Sequence, residues 1–185
     1  MRLRRGLLVR SLVVAVIASV LIGWWSSRSD DNSYVLDGTV GSIALNKVSE
    51  GKLLAAVDLE DARGNIVSTD TFIGRPTIIN FWFTTCEPCR REFPVLVATA
   101  ANHPQIRFIG INLNDTSDTA LAFAASYGAT FDMYFDRDGA LTSAMGVATA
   151  PVTLLVDSGG VVRRQLTGEV SAQSLVQAIR DVFPS

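Results

Sequence analysis

The chain has 185 residues, with 16 basic and 18 acidic side chains, one His, two Cys and 48% apolar residues. That length accommodates one domain with a full core plus a tail, and the apolar share, with only 18% charge, excludes a disordered chain. Two Cys cannot staple a disulfide scaffold and, with one His, cannot complete a four-ligand Cys/His zinc site. The charge is unevenly placed. Arg2, Arg4, Arg5 and Arg10 stand in residues 1–25 without an acid, leaving twelve basic against eighteen acidic side chains beyond them. An acidic body with no basic stripe predicts no nucleic-acid partner.

The Arg cluster precedes an apolar run. From Leu7 to Trp25 it counts 19 residues, about 28 Å as a helix and close to a hydrocarbon core. Arg10 interrupts it near one end, where a guanidinium snorkels to headgroups, and Trp24-Trp25 fall where an interfacial belt would lie. Positive charge before the span predicts a single pass through the cytoplasmic membrane by residues 7–25, with the rest of the chain on the extracytoplasmic side. The rival is a cleaved signal peptide ending near Ser27-Arg28-Ser29, which would make the domain secreted. Residues 1–25 are therefore read as anchor or signal segment, 26–52 as a tether with a short strand around Tyr34–Leu36, and 53–185 as the domain.

Within the domain, Ala56–Leu59 and Asn65–Ser68 flank Asp61-Ala62-Arg63-Gly64, a hairpin signal. The run Thr77–Phe83 is apolar on both faces apart from Asn80, as in a central buried strand. A helix over Cys86–Ala101 and a strand over Arg107–Leu113 follow. Next come a helix over Thr119–Tyr127 capped by Asp118 and stopped by Gly128, a strand over Asp132–Phe135, and a short helix over Ala140–Met145 ended by Gly146. Val152–Val156 and Val161–Leu166 flank Asp157-Ser158-Gly159-Gly160, a second hairpin. Ser171 caps a last amphipathic helix with Leu175, Val176, Ile179 and Phe183 on one side. Alternating elements predict an α/β fold with helices on both faces of a sheet.

Cys86-Glu87-Pro88-Cys89 follows the buried strand and opens a helix. There, unpaired N–H groups and the helix dipole stabilise a thiolate on Cys86, below the free thiol value of roughly 8.5. Cys89, one turn on, faces inward and lies close enough to close a small disulfide. This makes Cys86 the attacking thiolate and Cys89 the resolving one. Pro88 suits an early helical position, where its missing N–H costs nothing. A structural bridge over so short a loop would add little stability, and no second Cys pair or paired His completes a metal site. No cofactor beyond a redox-active Cys86–Cys89 disulfide is expected.

The segment Asn80-Phe81-Trp82-Phe83-Thr84-Thr85-Cys86-Glu87-Pro88-Cys89-Arg90-Arg91-Glu92-Phe93-Pro94 resembles the active-site signature of the thioredoxin-like superfamily, in its membrane-anchored TlpA/ResA-like group. The similarity runs from about Leu53 to Phe183. The resemblance implies a thioredoxin-like fold: a central mixed sheet, an N-terminal hairpin and an extra strand–helix insert over 107–127. Pro94 matches the family's mid-helix proline, and Ala150-Pro151 its cis-proline segment. It further implies that Pro151 packs beside Cys86 and that the Ala150 backbone pairs with an extended substrate, with Thr85, Glu87 and Pro88 completing that surface. Thr85 stands where the family usually has Trp, and Asn80 where thioredoxin has a buried acid. Glu92 matches the acid of the group three residues after the second Cys. It lies about 60° from Cys89 on a helical wheel. Two readings follow for Glu92: a partly buried carboxylate that manages the proton of Cys89, or a solvated flank charge paired with Arg90 or Arg91.

The implied activity is extracytoplasmic thiol–disulfide exchange. The expected direction is reduction of protein disulfides, including that of apocytochrome c in cytochrome c maturation, with electrons from a membrane thiol carrier. An oxidant of secreted-protein thiols is the alternative. A peroxiredoxin would need Thr and Pro where Phe83 and Ile79 stand. A non-enzymatic copper module would need wider Cys spacing and a better-placed His than His103, which reads as a loop residue.

Overall fold

The computed structural model describes residues 45–184. The anchor or signal segment and the strand expected around Tyr34–Leu36 lie outside the described residues. Among those described, no helix is long and apolar enough to cross a membrane.

In chain order the elements are β1 (Asp58–Asp61), β2 (Ile66–Ser68), a 3-10 turn (Thr69–Phe72), β3 (Thr77–Trp82), α1 (Glu87–Asn102), β4 (Arg107–Asn112), α2 (Ser117–Ser126), β5 (Asp132–Phe135), α3 (Ala140–Met145), β6 (Val152–Val156), β7 (Val162–Thr167) and α4 (Ala172–Val182). They form one seven-stranded sheet in the order β2-β1-β5-β4-β3-β6-β7. Strands β3, β4 and β5 run parallel, and the flanking pairs are antiparallel. This is the mixed sheet of a thioredoxin-like fold.

Period-2 alternation along β3 sorts its side chains onto two faces. Ile79 and Phe81 join Leu59, Phe72, Leu141 and Met145 beneath α3. Ile78 packs with Leu96 of α1 and Leu175 and Ile179 of α4, while Trp82 packs with Phe93 of α1 and Ala120 and Ala124 of α2. All six residues of β3 are buried, which accounts for its apolar run. Asn80 is the exception in chemistry, and it falls on the α1 face.

Gly110 in β4 marks a close approach. A Cβ there would stand 2.5 Å from Met133 Sδ and 2.9 Å from Trp82 Nε1, so the position admits only glycine without rearrangement.

Several boundaries differ from expectation by one or two residues, β1 lying at Asp58–Asp61 rather than Ala56–Leu59, and two further differences have a physical cause. Helix α2 starts at Ser117 and is capped by Thr116, whose hydroxyl accepts from the backbone N–H of Thr119. Asp118 instead lies in the first turn, where its charge favours the helix dipole. Of the segment read as a tether, residues 46–52 contact the domain. Gly51 N donates to Val162 O at 2.8 Å and Val162 N to Lys52 O at 2.9 Å, which covers the outer edge of β7. Arg163 and Arg164 of that strand are exposed, and Arg163 pairs with Asp157 at 2.6 Å.

Candidate functional site

The site gathers at the carboxyl ends of the parallel strands, where open α/β sheets place their ligands. Cys86 is the N-cap of α1, Glu87 and Pro88 follow it, and the helix continues through Pro94. Cys86 and Cys89 form a disulfide with Cα atoms 5.2 Å apart. Cys86 Sγ also accepts from the backbone N–H of Cys89 at 3.2 Å, so the helix N-terminus is aimed at that sulfur, as thiolate stabilisation requires. Cys86 is 6% exposed and Cys89 1%. The sulfur that the sequence assigns to attack is the one nearer the surface.

Ala150 packs against the apolar cluster containing both cysteines. The Ala150–Pro151 peptide is cis, and Pro151 is buried. Thr85 and Glu87 are exposed at the rim, and Pro88 is half-buried. A cleft of about 620 Å³ opens beside Ala150, with Phe83, Leu113, Asp136, Arg137 and Thr142 among its walls. Of the expected substrate-facing residues, Ala150 lines this opening, and Pro151 lies buried behind it in the chain.

Glu92 is 1% exposed. Its Oε1 accepts from Asn80 Nδ2 at 2.8 Å and its Oε2 from the backbone N–H of Val170 at 2.9 Å. Asn80 Nδ2 also donates to Thr153 Oγ1 at 3.0 Å. Burial raises the carboxyl to about 7 from its ordinary 4.5, against the lowering effect of its two hydrogen bonds. The arginines that offered a solvated alternative are engaged elsewhere. Arg90 lies 3.8 Å from Glu87, and Arg91 pairs with Glu169 at 2.7 Å. Glu92 is one helical turn beyond Cys89, the spacing at which side chains on a helix are neighbours.

Asp115 was not legible as a site residue. It follows β4, and its carboxylate accepts from the Thr84 backbone N–H at 2.7 Å, from Thr84 Oγ1 at 2.6 Å and from Asn112 Nδ2 at 2.7 Å. It therefore fixes the loop that delivers Cys86. Arg137, after β5, donates to the Asp115 carbonyl and to Ser117 Oγ. The polar residues Asn112, Asn114 and Asp115 at the end of a parallel strand are the available signal. His103 is the C-cap of α1, with Nδ1 2.9 Å from the Thr99 carbonyl. Sixteen helical residues, about 24 Å, separate it from Cys86. Among the described residues no group of three or more His, Cys, Asp or Glu is placed to hold a metal.

Residues 51–165 match the AhpC/TSA family. The thiol:disulfide interchange protein DsbE of Allochromatium vinosum is 32% identical over 126 residues, 68% of each chain. The thiol-disulfide oxidoreductase ResA of Halalkalibacterium halodurans is 27% identical over 185 residues, 98% of this chain and 97% of that one. Among solved structures, that of MTB dsbF in mixed oxidised and reduced forms superposes with a TM-score of 0.63 at 26% identity, covering 69% of this chain and 95% of the other. With a Cys-x-x-Cys disulfide at the mouth of α1 and this kinship, the chain belongs to the AhpC/TSA family as a thiol–disulfide oxidoreductase of the ResA/DsbE type.

Proposed function

We propose that the protein reduces disulfides of extracytoplasmic proteins, with Cys86 attacking, Cys89 resolving and Glu92 managing the proton of Cys89. The observation that carries this reading is a disulfide at a helix N-cap with a buried carboxyl one turn deeper. In the reduced protein, the Cys86 thiolate attacks one sulfur of the substrate disulfide, forming a mixed disulfide and expelling a substrate thiolate. Glu92, raised to about 7, takes the proton of Cys89. The Cys89 thiolate then attacks Cys86 Sγ and expels the second substrate thiolate. The substrate gains two electrons and the protein is left as its Cys86–Cys89 disulfide.

A membrane thiol carrier returns those electrons in this scheme, and the disulfide of apocytochrome c is the substrate that the likeness to the TlpA/ResA-like group suggests. Extracytoplasmic placement, tethered through residues 7–25, rests on the Arg cluster before the apolar run. The opposite direction, oxidation of secreted thiols, uses the same two cysteines. Equilibrating the protein with glutathione separates them: a potential well below the extracytoplasmic poise supports the reductase, whereas one near about −120 mV overturns it in favour of the oxidant.

A further inference from the structure

The residues leading into the domain are stitched to the loop before Pro151. Asn46 Oδ1 accepts from the backbone N–H groups of Ala148 and Thr149, at 2.6 and 2.8 Å. Its Nδ2 donates to the Thr149 carbonyl at 3.0 Å and to Thr149 Oγ1 at 3.1 Å. Beside it, Lys47 N donates to Gly146 O at 2.8 Å, and the buried Ser49 hydroxyl donates to Met145 O at 2.5 Å. Gly146 has φ 67°, and a Cβ there would stand 2.7 Å from Lys47 Cβ. The two backbones are as close as a glycine permits.

One amide thus occupies three backbone groups of two consecutive residues more than a hundred positions away. The next residue is left untied: Ala150 N–H and C=O have no hydrogen-bond partner among the described residues. Ala148 and Thr149 are themselves exposed, so their side chains contribute no burial to order the loop.

We propose that Asn46 is a positioning residue for substrate binding: it holds residues 148–149 so that the peptide groups of Ala150 stand ready for an extended substrate segment. This rests on reading Ala150-Pro151 as the substrate surface. Pre-ordering the loop removes a cost that the substrate would otherwise meet on binding, so the effect belongs in KM. Small disulfides, which have no extended chain to pair, are insensitive to it.

The test compares the full chain with Asn46→Ala and Asn46→Asp, each re-reduced by a dithiol donor at fixed concentration. The substrates are a peptide disulfide with extended flanking residues and oxidised glutathione, with the donor's uncatalysed rate subtracted. Asn46→Ala is expected to raise KM for the peptide about tenfold, as loss of such hydrogen bonds does. Its kcat, its rate with oxidised glutathione and its glutathione equilibrium stay unchanged. Asn46→Asp, which keeps the acceptor for the two N–H groups, falls between. An unchanged peptide KM in Asn46→Ala, or equal slowing with both substrates, overturns the inference and leaves the oxidoreductase reading standing. A parent protein that turns over glutathione but never the peptide overturns the substrate surface itself, and the inference with it.

Discussion

Asn80 and Glu92 are paired across the interface between β3 and α1, the amide of one donating to the carboxylate of the other at 2.8 Å in a buried setting. A neutral amide stabilises the carboxylate only modestly, and burial prevails, raising Glu92 to about 7. An acid at Asn80 would instead have set two carboxylates against each other. The amide permits a single carboxyl poised near neutrality.

Stability should therefore depend on pH through Glu92. Its folded value lies above the unfolded one, so the folded chain binds the extra proton between about 4.5 and about 7. The contribution is fully present below pH 4.5 and is lost as pH rises through 7, by about 3 kcal/mol in all. Denaturant titrations of the parent and Glu92→Gln across this range check it. The stability of the variant relative to the parent should climb with pH, and a flat difference would refute the assignment. The same substitution should remove an inflection near pH 7 from the rate of disulfide reduction.

The roles of the two sulfurs separate in serine variants. Cys86→Ser should abolish reduction of a protein disulfide, because the sulfur at the helix mouth is the one near the surface. Cys89→Ser should still attack but fail to resolve, accumulating a mixed disulfide through Cys86 that gel mobility under non-reducing conditions reveals. A Cys86→Ser protein as active as its parent would refute the assignment.

Asp115 predicts a loss that reaches the cysteines from a distance. Its carboxylate holds both the N–H and the hydroxyl of Thr84, bonds of the charge-assisted kind. Asp115→Ala should cost about 2 kcal/mol of stability and raise the pKa of the Cys86 thiol in the reduced protein, read from thiolate absorbance during a pH titration. Asp115→Asn, which keeps one acceptor oxygen, should lie between. An unmoved thiol pKa in the alanine variant would leave Asp115 a purely structural residue.

Much of this was legible from local pattern. The β3 run, the turns at Asp61–Gly64 and Asp157–Gly160, and the Cys pair at a helix start each carry their signal within a few residues. The misassigned cap of α2 arose because Thr116, Ser117 and Asp118 are all good N-cap residues, and local composition does not rank them. The 3-10 turn at Thr69–Phe72 is too short to show a period. Glu92 sits at the border of the inward face on a helical wheel, and its partners Asn80, itself bonded to Thr153, and Val170 arrive from other places in the chain. Asp115 and Asn46 act on partners 31 and about a hundred residues away, beyond the reach of periodicity.

Gly110 supplies the last prediction. Its missing Cβ leaves room for Met133 and for the indole of Trp82, which is wedged against Phe93 and Phe123 with ring centroids 4.8 and 5.3 Å away. Gly110→Ala must displace one or both. The thioether can swing aside, but the ring is held on its other faces, so the expected cost is about 1–3 kcal/mol. Shortening the flexible neighbour as well distinguishes the two obstacles. In Gly110→Ala with Met133→Ala, the sulfur contact is gone and only the indole remains, so the pair should cost less than the sum of the single variants by about 1 kcal/mol. Thermal unfolding of the four proteins closes the cycle. Additive losses would mean that Met133 never constrained the site, and a stable single variant would remove the close approach as the reason for glycine at this position.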